Sequence, residues 1–164
     1  MKTLLRSLCV ILCLGLLPAA ALAQGTLTGQ AAPALVFKDL AGAEVSLAAL
    51  KGKVVVVDFW ATWCGPCIQE IPGYIALQKK YGKDGLVIVG VSLDQKGPAH
   101  VKKFVEARGM DYTIVMGDNE AVDAFGGFNS IPTTFLIGRD GRIIHQKSGA
   151  WAHDKYEELV QKAL

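Results

Sequence analysis

Hydrophobic residues along this chain of 164 residues fall into runs of two kinds, and their order sets out a fold. Lys53 to Trp60 reads Lys-Val-Val-Val-Val-Asp-Phe-Trp, a β-branched apolar run of the kind that forms a central strand buried on both faces. From about Cys64 to Tyr81 the apolar positions Ile68, Ile71, Ile75, Leu77 and Tyr81 follow helical spacing, with Pro72 expected to kink the helix. Leu86 to Leu93 is a second buried strand. Pro98 to Arg108 reads as a helix, with proline near its first turn and Gly109 just past its end. Tyr112 to Met116 gives a further strand, and Asn119 to Phe125 a short helix followed by Gly126-Gly127. Thr133 to Ile137 and Arg142 to Lys147 make a hairpin around Asp140-Gly141, and a last helix runs from about His153 to Ala163. Upstream, Leu35-Val36-Phe37 and Glu44-Val45-Ser46-Leu47 flank the turn-like Asp39-Leu40-Ala41-Gly42, a short hairpin added in front of the main pattern. Strands alternating with helices, then a hairpin and a helix, predict an α/β fold with a mixed central sheet flanked by helices on both faces.

The first 23 residues follow a different pattern. Lys2 and Arg6 precede the uncharged apolar run Leu8 to Leu17, Pro18 breaks it, and Ala21-Leu22-Ala23 puts small residues where a signal peptidase reads. The expectation is a signal peptide over residues 1–23, cleaved before Gln24, and one domain over 24–164. A retained membrane anchor is the alternative, but Leu8 to Ala23 is shorter than the ~20 apolar residues that span a bilayer. Cys9 and Cys13 would leave with the peptide. Loss of Lys2 and Arg6 takes the 17 basic residues to 15, equal to the 15 acidic ones. With the short pairs Lys79-Lys80 and Lys102-Lys103 as the densest basic positions, nucleic acid is not an expected partner. Only Cys64 and Cys67 remain, so the fold does not rest on a disulfide framework.

Those two cysteines carry the chemistry. A Cys-x-x-Cys directly after a buried strand and at a helix start puts the first thiol where unpaired N–H groups and the helix dipole favour negative charge. The pKa of Cys64 should fall and its thiolate should attack disulfides. Cys67, one turn further on, would resolve the mixed disulfide. A zinc site needs about four ligands, and the remaining His100, His145 and His153 are scattered. Asp58 interrupts the strand run, and burial there should raise its pKa. It reads as a proton partner for Cys67, or else as a strand-end residue turned to solvent. Ile131-Pro132 precedes a strand; a cis bond would present its backbone beside the thiols, and the alternative is a trans proline at a strand start.

Val57-Asp58-Phe59-Trp60-Ala61, Trp63-Cys64-Gly65-Pro66-Cys67, Pro72, Ile131-Pro132-Thr133 and Gly149 together resemble the thioredoxin superfamily over about residues 33 to 164. Ala32-Pro33-Ala34 with its hairpin, Ala61-Thr62-Trp63, Glu70-Ile71-Pro72 and the additional helix Pro98 to Arg108 look like its exported TlpA/ResA-type branch. The resemblance implies a thioredoxin fold with an N-terminal hairpin and a central βα insertion, acting as a periplasmic thiol:disulfide oxidoreductase. It implies Trp63, Gly65, Pro66, Ile131, Pro132 and Gly149 at the client surface, and no cofactor or metal. The implied partners are disulfide-bearing clients, such as apocytochrome c or its assembly factors, and a DsbD- or CcdA-like membrane electron donor. Glu70 matches the cavity glutamate of ResA-type proteins, or is a solvated glutamate of the helix's first turns. The chain departs from that branch at Asp58, where its members usually carry Asn, and carries the thioredoxin pair Gly65-Pro66. The lysine that neighbours the buried Asp in thioredoxin is Gly90 here. Rival readings are a peroxidase of the same fold, which needs Thr three residues before its Cys where Thr62 stands two before, and a Sco-type copper-delivery protein, whose cysteines have three residues between them where Cys64 and Cys67 have two.

Overall fold

The computed structural model describes residues 26–164, so the reading of residues 1–23 as an export signal lies outside the described residues. The chain order is β1 (Val36–Asp39), β2 (Glu44–Ser46), β3 (Val54–Trp60), α1 (Gly65–Tyr81), β4 (Leu86–Ser92), α2 (Pro98–Arg108), β5 (Thr113–Met116), α3 (Asn119–Ala124), β6 (Thr133–Ile137), β7 (Ile143–Ser148) and α4 (His153–Ala163). Each follows the sequence pattern to within a few residues. Pro72 lies inside α1 without ending it. Gly109 closes α2 with a left-handed φ of 62°, a conformation that glycine adopts without the usual Cβ clash.

The strands form one mixed sheet in the order β2-β1-β5-β4-β3-β6-β7. β3 is parallel to β4 and antiparallel to β6. β5 runs parallel to β4, a step that requires a crossover, and α2 supplies it. The N-terminal hairpin is more than an addition in front of the domain. β1 pairs antiparallel with β5, Lys38 opposite Met116 and Asp39 opposite Val115, and so covers a sheet edge that would otherwise expose unpaired N–H and C=O groups.

Period-two alternation along β3 feeds two cores. Val54, Val56 and Trp60 face one side, where Ile71, Tyr74 and Leu77 of α1, Val101 of α2 and Tyr156 and Val160 of α4 pack. Val55, Val57 and Phe59 face the other, against Ala121 of α3, Phe125, Phe135 and Phe37. On that second side the Phe59 ring meets Phe125 at 5.2 Å, Phe128 at 4.8 Å and Phe135 at 6.0 Å between centroids. This aromatic group fixes the segment that leads into β6. Among the described residues no helix is long and apolar enough to cross a membrane.

Phe135, fully buried in that cluster, should cost about 3–5 kcal/mol when cut to alanine, read as a lower denaturant midpoint at unchanged slope. Ile144→Ala, on the exposed face of β7, should cost less than about 0.5 kcal/mol. Equal losses at the two positions would show that the second core is not packed as described.

Candidate active site

β3 ends at Trp60, and four residues later Cys64 caps α1. Its backbone is extended (φ −87°, ψ 101°) and its Sγ accepts the Cys67 N–H at 3.3 Å, which satisfies one of the donors a helix start leaves without a partner. Proline is favoured in a helix's first turn because no N–H is lost there, and Pro66 occupies that turn. Cys64 and Cys67 are joined by a disulfide with a Cα–Cα separation of 5.3 Å. The cysteines are 5% and 2% exposed, while Trp63 beside them is 63% exposed, and Gly65 and Pro66 are exposed too.

A second loop closes over the pair. The Ile131–Pro132 bond is cis, and the Ile131 carbonyl oxygen lies 3.7 Å from Cys64 Sγ. Gly149 donates its N–H to the Pro132 carbonyl at 2.8 Å with a φ of 83°, a left-handed conformation suited to glycine. Trp63, Gly65, Pro66, Ile131, Pro132 and Gly149 therefore gather around one disulfide. A groove of about 730 Å³ opens beside it, with Trp63, Leu93, Phe128 and Ile131 among its walls.

Asp58 does not turn to solvent. It is 3% exposed, opposite Gly90 on β4 and Thr134 on β6. Burial pushes its pKa from 3.8 up to about 7, the Glu70 carboxylate adds to the rise, and hydrogen bonding from Thr134 and Tyr74 opposes it. Thr134 Oγ1 donates to Asp58 Oδ1 at 3.1 Å. No side chain could reach Asp58 from position 90 without displacing its neighbours. A Cβ there would meet Ile114 Cδ1 at 2.8 Å, Trp60 Nε1 at 3.1 Å and Tyr112 Cε2 at 3.3 Å, so Ile114 and two aromatic side chains fill the space beside Gly90.

Glu70 is half-buried, one turn beyond Cys67. Its carboxylate is engaged by the backbone: Oε1 accepts the Trp151 N–H at 2.6 Å, and Oε2 is buried without a partner among the described residues. Partial burial raises its pKa, opposed by the Trp151 N–H and the Lys147 ammonium. Glu70, Gly73 and Tyr74 of α1 line a cavity of about 400 Å³ with Trp151, His153 and Tyr156.

Several polar residues of this centre do not stand out in the sequence. Thr134 and Tyr74 belong to the Asp58 cluster, and the burial of Tyr74, Tyr112 and Tyr156 beside its charge raises all three phenols. Beneath the Trp63 loop, Thr62 donates its N–H and hydroxyl to Asp94 at 2.8 and 2.6 Å. Ser92 Oγ donates to the same carboxylate at 2.9 Å, and His100 Nε2 stands 3.1 Å from Thr62 Oγ1. The one available signal was register: Thr134 falls opposite Asp58 once the β6 hairpin is paired with β3.

Comparison with known proteins agrees with this geometry. The Redoxin family profile matches residues 27–160. The thiol-disulfide oxidoreductase ResA of Bacillus thuringiensis (strain Al Hakam) is 34% identical over 134 residues, 82% of this chain and 77% of that protein. The protein of the same name from Bacillus subtilis (strain 168) is 37% identical over 134 residues, 80% of this chain and 73% of its own length. The crystal structure of a thiol:disulfide interchange protein of the thioredoxin family from Chlorobium tepidum TLS superposes with a TM-score of 0.75 at 32% identity, covering 86% of this chain and 99% of that one. The family profile and these relatives each span four fifths or so of the chain, which belongs to the Redoxin family and is a ResA-like thiol:disulfide oxidoreductase of the thioredoxin superfamily.

Proposed function

We propose that this protein is an exported reductase of client disulfides, working in the periplasm after cleavage behind Ala23. The observation that carries the reading is a disulfide at a helix start, beside an exposed tryptophan and the Ile131 carbonyl, with a carboxyl group of pKa about 7 enclosed in the sheet behind it. In the reduced protein the Cys64 thiolate attacks one sulfur of a client disulfide, and the client's other sulfur leaves as a thiolate. Cys67 then gives its proton to the Asp58 carboxylate and attacks Cys64 Sγ. The second client thiol is released, two electrons have passed to the client, and the Cys64–Cys67 disulfide remains. A proton acceptor works best when its pKa is near the operating pH.

Trp63, Gly65, Pro66, Ile131, Pro132 and Gly149 form the client surface in this reading, with the Ile131–Pro132 backbone aligning an extended client segment. Glu70 acts through its neighbours: it holds Trp151 and raises the proton affinity of Asp58. The resemblance to the TlpA/ResA branch supports apocytochrome c or a cytochrome-assembly thiol protein as client, and a DsbD- or CcdA-like membrane protein as electron donor. The pattern of residues 1–23 supports export.

The Gly65-Pro66 pair supports a reducing potential. A glutathione titration should give a value nearer the roughly −270 mV of thioredoxin than the about −120 mV of DsbA. A result above about −180 mV, the range of the isomerases, would overturn the reductase direction.

Asp58 gives a pH-dependent signature. Between pH 3.8 and about 7 the folded protein holds a proton that the unfolded chain has lost, so the stabilisation is complete below the unfolded pKa and disappears as pH rises through the folded one. Asp58→Asn cannot ionise. It should be more stable than the parent at pH 8, by up to about 4 kcal/mol, with the gap closing towards pH 4 in parallel denaturant titrations. The same substitution should slow resolution by Cys67 by about 100-fold near neutral pH, while attack by Cys64 changes far less.

Cys67→Ser tests the order of events. Expressed with residues 1–23 intact, it should accumulate adducts that run as larger bands on non-reducing gels and collapse on reduction, and these should include cytochrome-related thiol proteins and a membrane donor. Cys64→Ser should trap far less. The reverse pattern would exchange the two roles, and a broad set of secreted clients would replace cytochrome assembly by general reduction.

A further inference from the structure

Asp58 is charged and discharged once per turnover in the reaction proposed above, yet it is closed off from solvent. Its surroundings offer few ways for a proton to leave. On the β4 side the space at Gly90 is filled by Ile114, Trp60 and Tyr112. The Trp60 indole nitrogen has no hydrogen-bond partner among the described residues, and an indole N–H donates but cannot accept, so it cannot pass a proton on. The Tyr156 hydroxyl also has no partner among the described residues, which breaks any chain drawn through it.

One connected line of hydroxyls remains. Thr134 Oγ1 donates to Asp58 Oδ1 at 3.1 Å, and Tyr74 Oη lies 3.3 Å from Thr134 Oγ1, both contacts fully enclosed. Tyr74, itself only 3% exposed, is also part of the wall of the cavity of about 400 Å³ beside α1, so this line is the one that adjoins a space for water. That volume holds water readily. Glu70 shares the wall, with one carboxylate oxygen buried and without a partner among the described residues.

We propose that Asp58 exchanges its proton with solvent in the α1 cavity through Thr134 and Tyr74, which act on catalysis by way of Asp58. The inference rests on the reading of Asp58 as the proton partner of Cys67. When the disulfide is reduced, Asp58 gives its proton to the departing Cys67 sulfur. Water in the cavity then protonates Tyr74 Oη as Tyr74 passes its own proton to Thr134 Oγ1, and Thr134 passes its proton to Asp58 Oδ1. In client reduction both hydroxyls turn round, and the proton taken from Cys67 leaves by the same line. Each hydroxyl releases one proton as it receives another, so no ionised tyrosine forms. This matters because burial and the neighbouring carboxylates hold the Tyr74 phenol well above its ordinary pKa.

The ionisable groups around the line come from four elements or their approaches. Glu70 and Tyr74 belong to α1, Tyr112 precedes β5, His145 and Lys147 lie on β7, and His153 and Tyr156 on α4. Of these, Glu70 acts on Asp58 through its charge and raises it.

The test uses the full mature chain with Cys64 held as a mixed disulfide with thionitrobenzoate, whose release by Cys67 is followed by absorbance in stopped flow between pH 5.5 and 8.5. The parent should release it in a single phase, because Asp58 re-equilibrates with solvent faster than Cys67 attacks. In Thr134→Val and Tyr74→Phe the protonated fraction of Asp58 should be stranded. Release should split into a burst from molecules already ionised and a phase at least tenfold slower, with the burst shrinking as pH falls through about 7. Thr134→Ser, which keeps the hydroxyl, should restore one phase, an effect that lost packing alone would not produce. Asp58→Asn separates the two ideas. If it releases thionitrobenzoate at the parent rate, the proton role of Asp58 fails and the relay with it. If it is slow while Thr134→Val and Tyr74→Phe both give one phase at the parent rate, Asp58 is the base and the relay is overturned. Should Thr134→Val not fold, Tyr74→Phe decides the matter on the same criterion.

Discussion

The positions of the disulfide and of Asp58 depend on β3 having no freedom to shift. All seven of its residues, Val54 to Trp60, are buried. Its ladder to β4 runs the whole length from Val54–Leu86 to Trp60–Ser92, and β6 holds the other edge from Val55 to Phe59. Each fully buried valine or phenylalanine contributes on the order of 1.5–3 kcal/mol. A slip of one residue would exchange the two side-chain sets between the two cores. Asp58 falls on the face that packs against α1, between Val56 and Trp60, and the same rigidity delivers Cys64 to the start of that helix.

That placement opposes the rule that builds the strand. An interior of valine and phenylalanine excludes water, and a carboxylate within it loses solvation that the Thr134 hydroxyl only partly replaces. The result is an acid whose pKa sits at about 7. Glu70 intensifies the conflict, since a second carboxylate near the first makes ionisation of both unfavourable. Buried polar atoms are nearly always paired, yet Trp60 Nε1, Glu70 Oε2, Trp151 Nε1 and Tyr156 Oη are without partners among the described residues. Local rules of this kind fail mostly at functional sites, where the loss is offset by packing elsewhere. Here the offset is the aromatic core on the far side of the sheet, where Phe125 and Phe135 approach to 4.6 Å.

The loop between β3 and α1 is held from the opposite side by hydrogen bonds to Asp94, two residues past β4, and to α2. With the Thr62 hydroxyl proton directed at Asp94, His100 must present an N–H to Thr62 Oγ1 for the 3.1 Å contact between them to be a hydrogen bond. His100 belongs to α2, the helix that sets this chain apart from a minimal thioredoxin pattern. It therefore does more than cross from β4 to β5; it braces the loop that carries Trp63. The Glu70 to Trp151 contact ties the loop after β7 to α1 on the other flank, so the disulfide is positioned between two fixed points.

The elements of this fold, and the cysteine pair, were legible along the chain because they depend on near neighbours. The β-branched run of β3, the helical spacing of α1 and the turn glycines are local signals, and Cys-x-x-Cys at a strand-to-helix junction brings its chemistry within four residues. The interior position of Asp58 was legible as one of two readings, since a strand-end residue could also have turned to solvent, and pairing of β3 on both edges decided for burial. Its partners were not. Thr134 is 76 residues away in sequence and reaches Asp58 only through the β3–β6 register. Tyr74 enters through the packing of α1 on the sheet, and Glu70 is half-buried where its carboxylate meets the Trp151 N–H, 81 residues away in sequence. The N-terminal hairpin shows the same division: its two strands were visible locally, but only the assembled sheet made it the edge that covers β5. Sequence pattern fixes what each segment buries, because burial follows from periodicity. Which polar atoms meet inside is decided by register and packing between distant segments, which no local pattern contains.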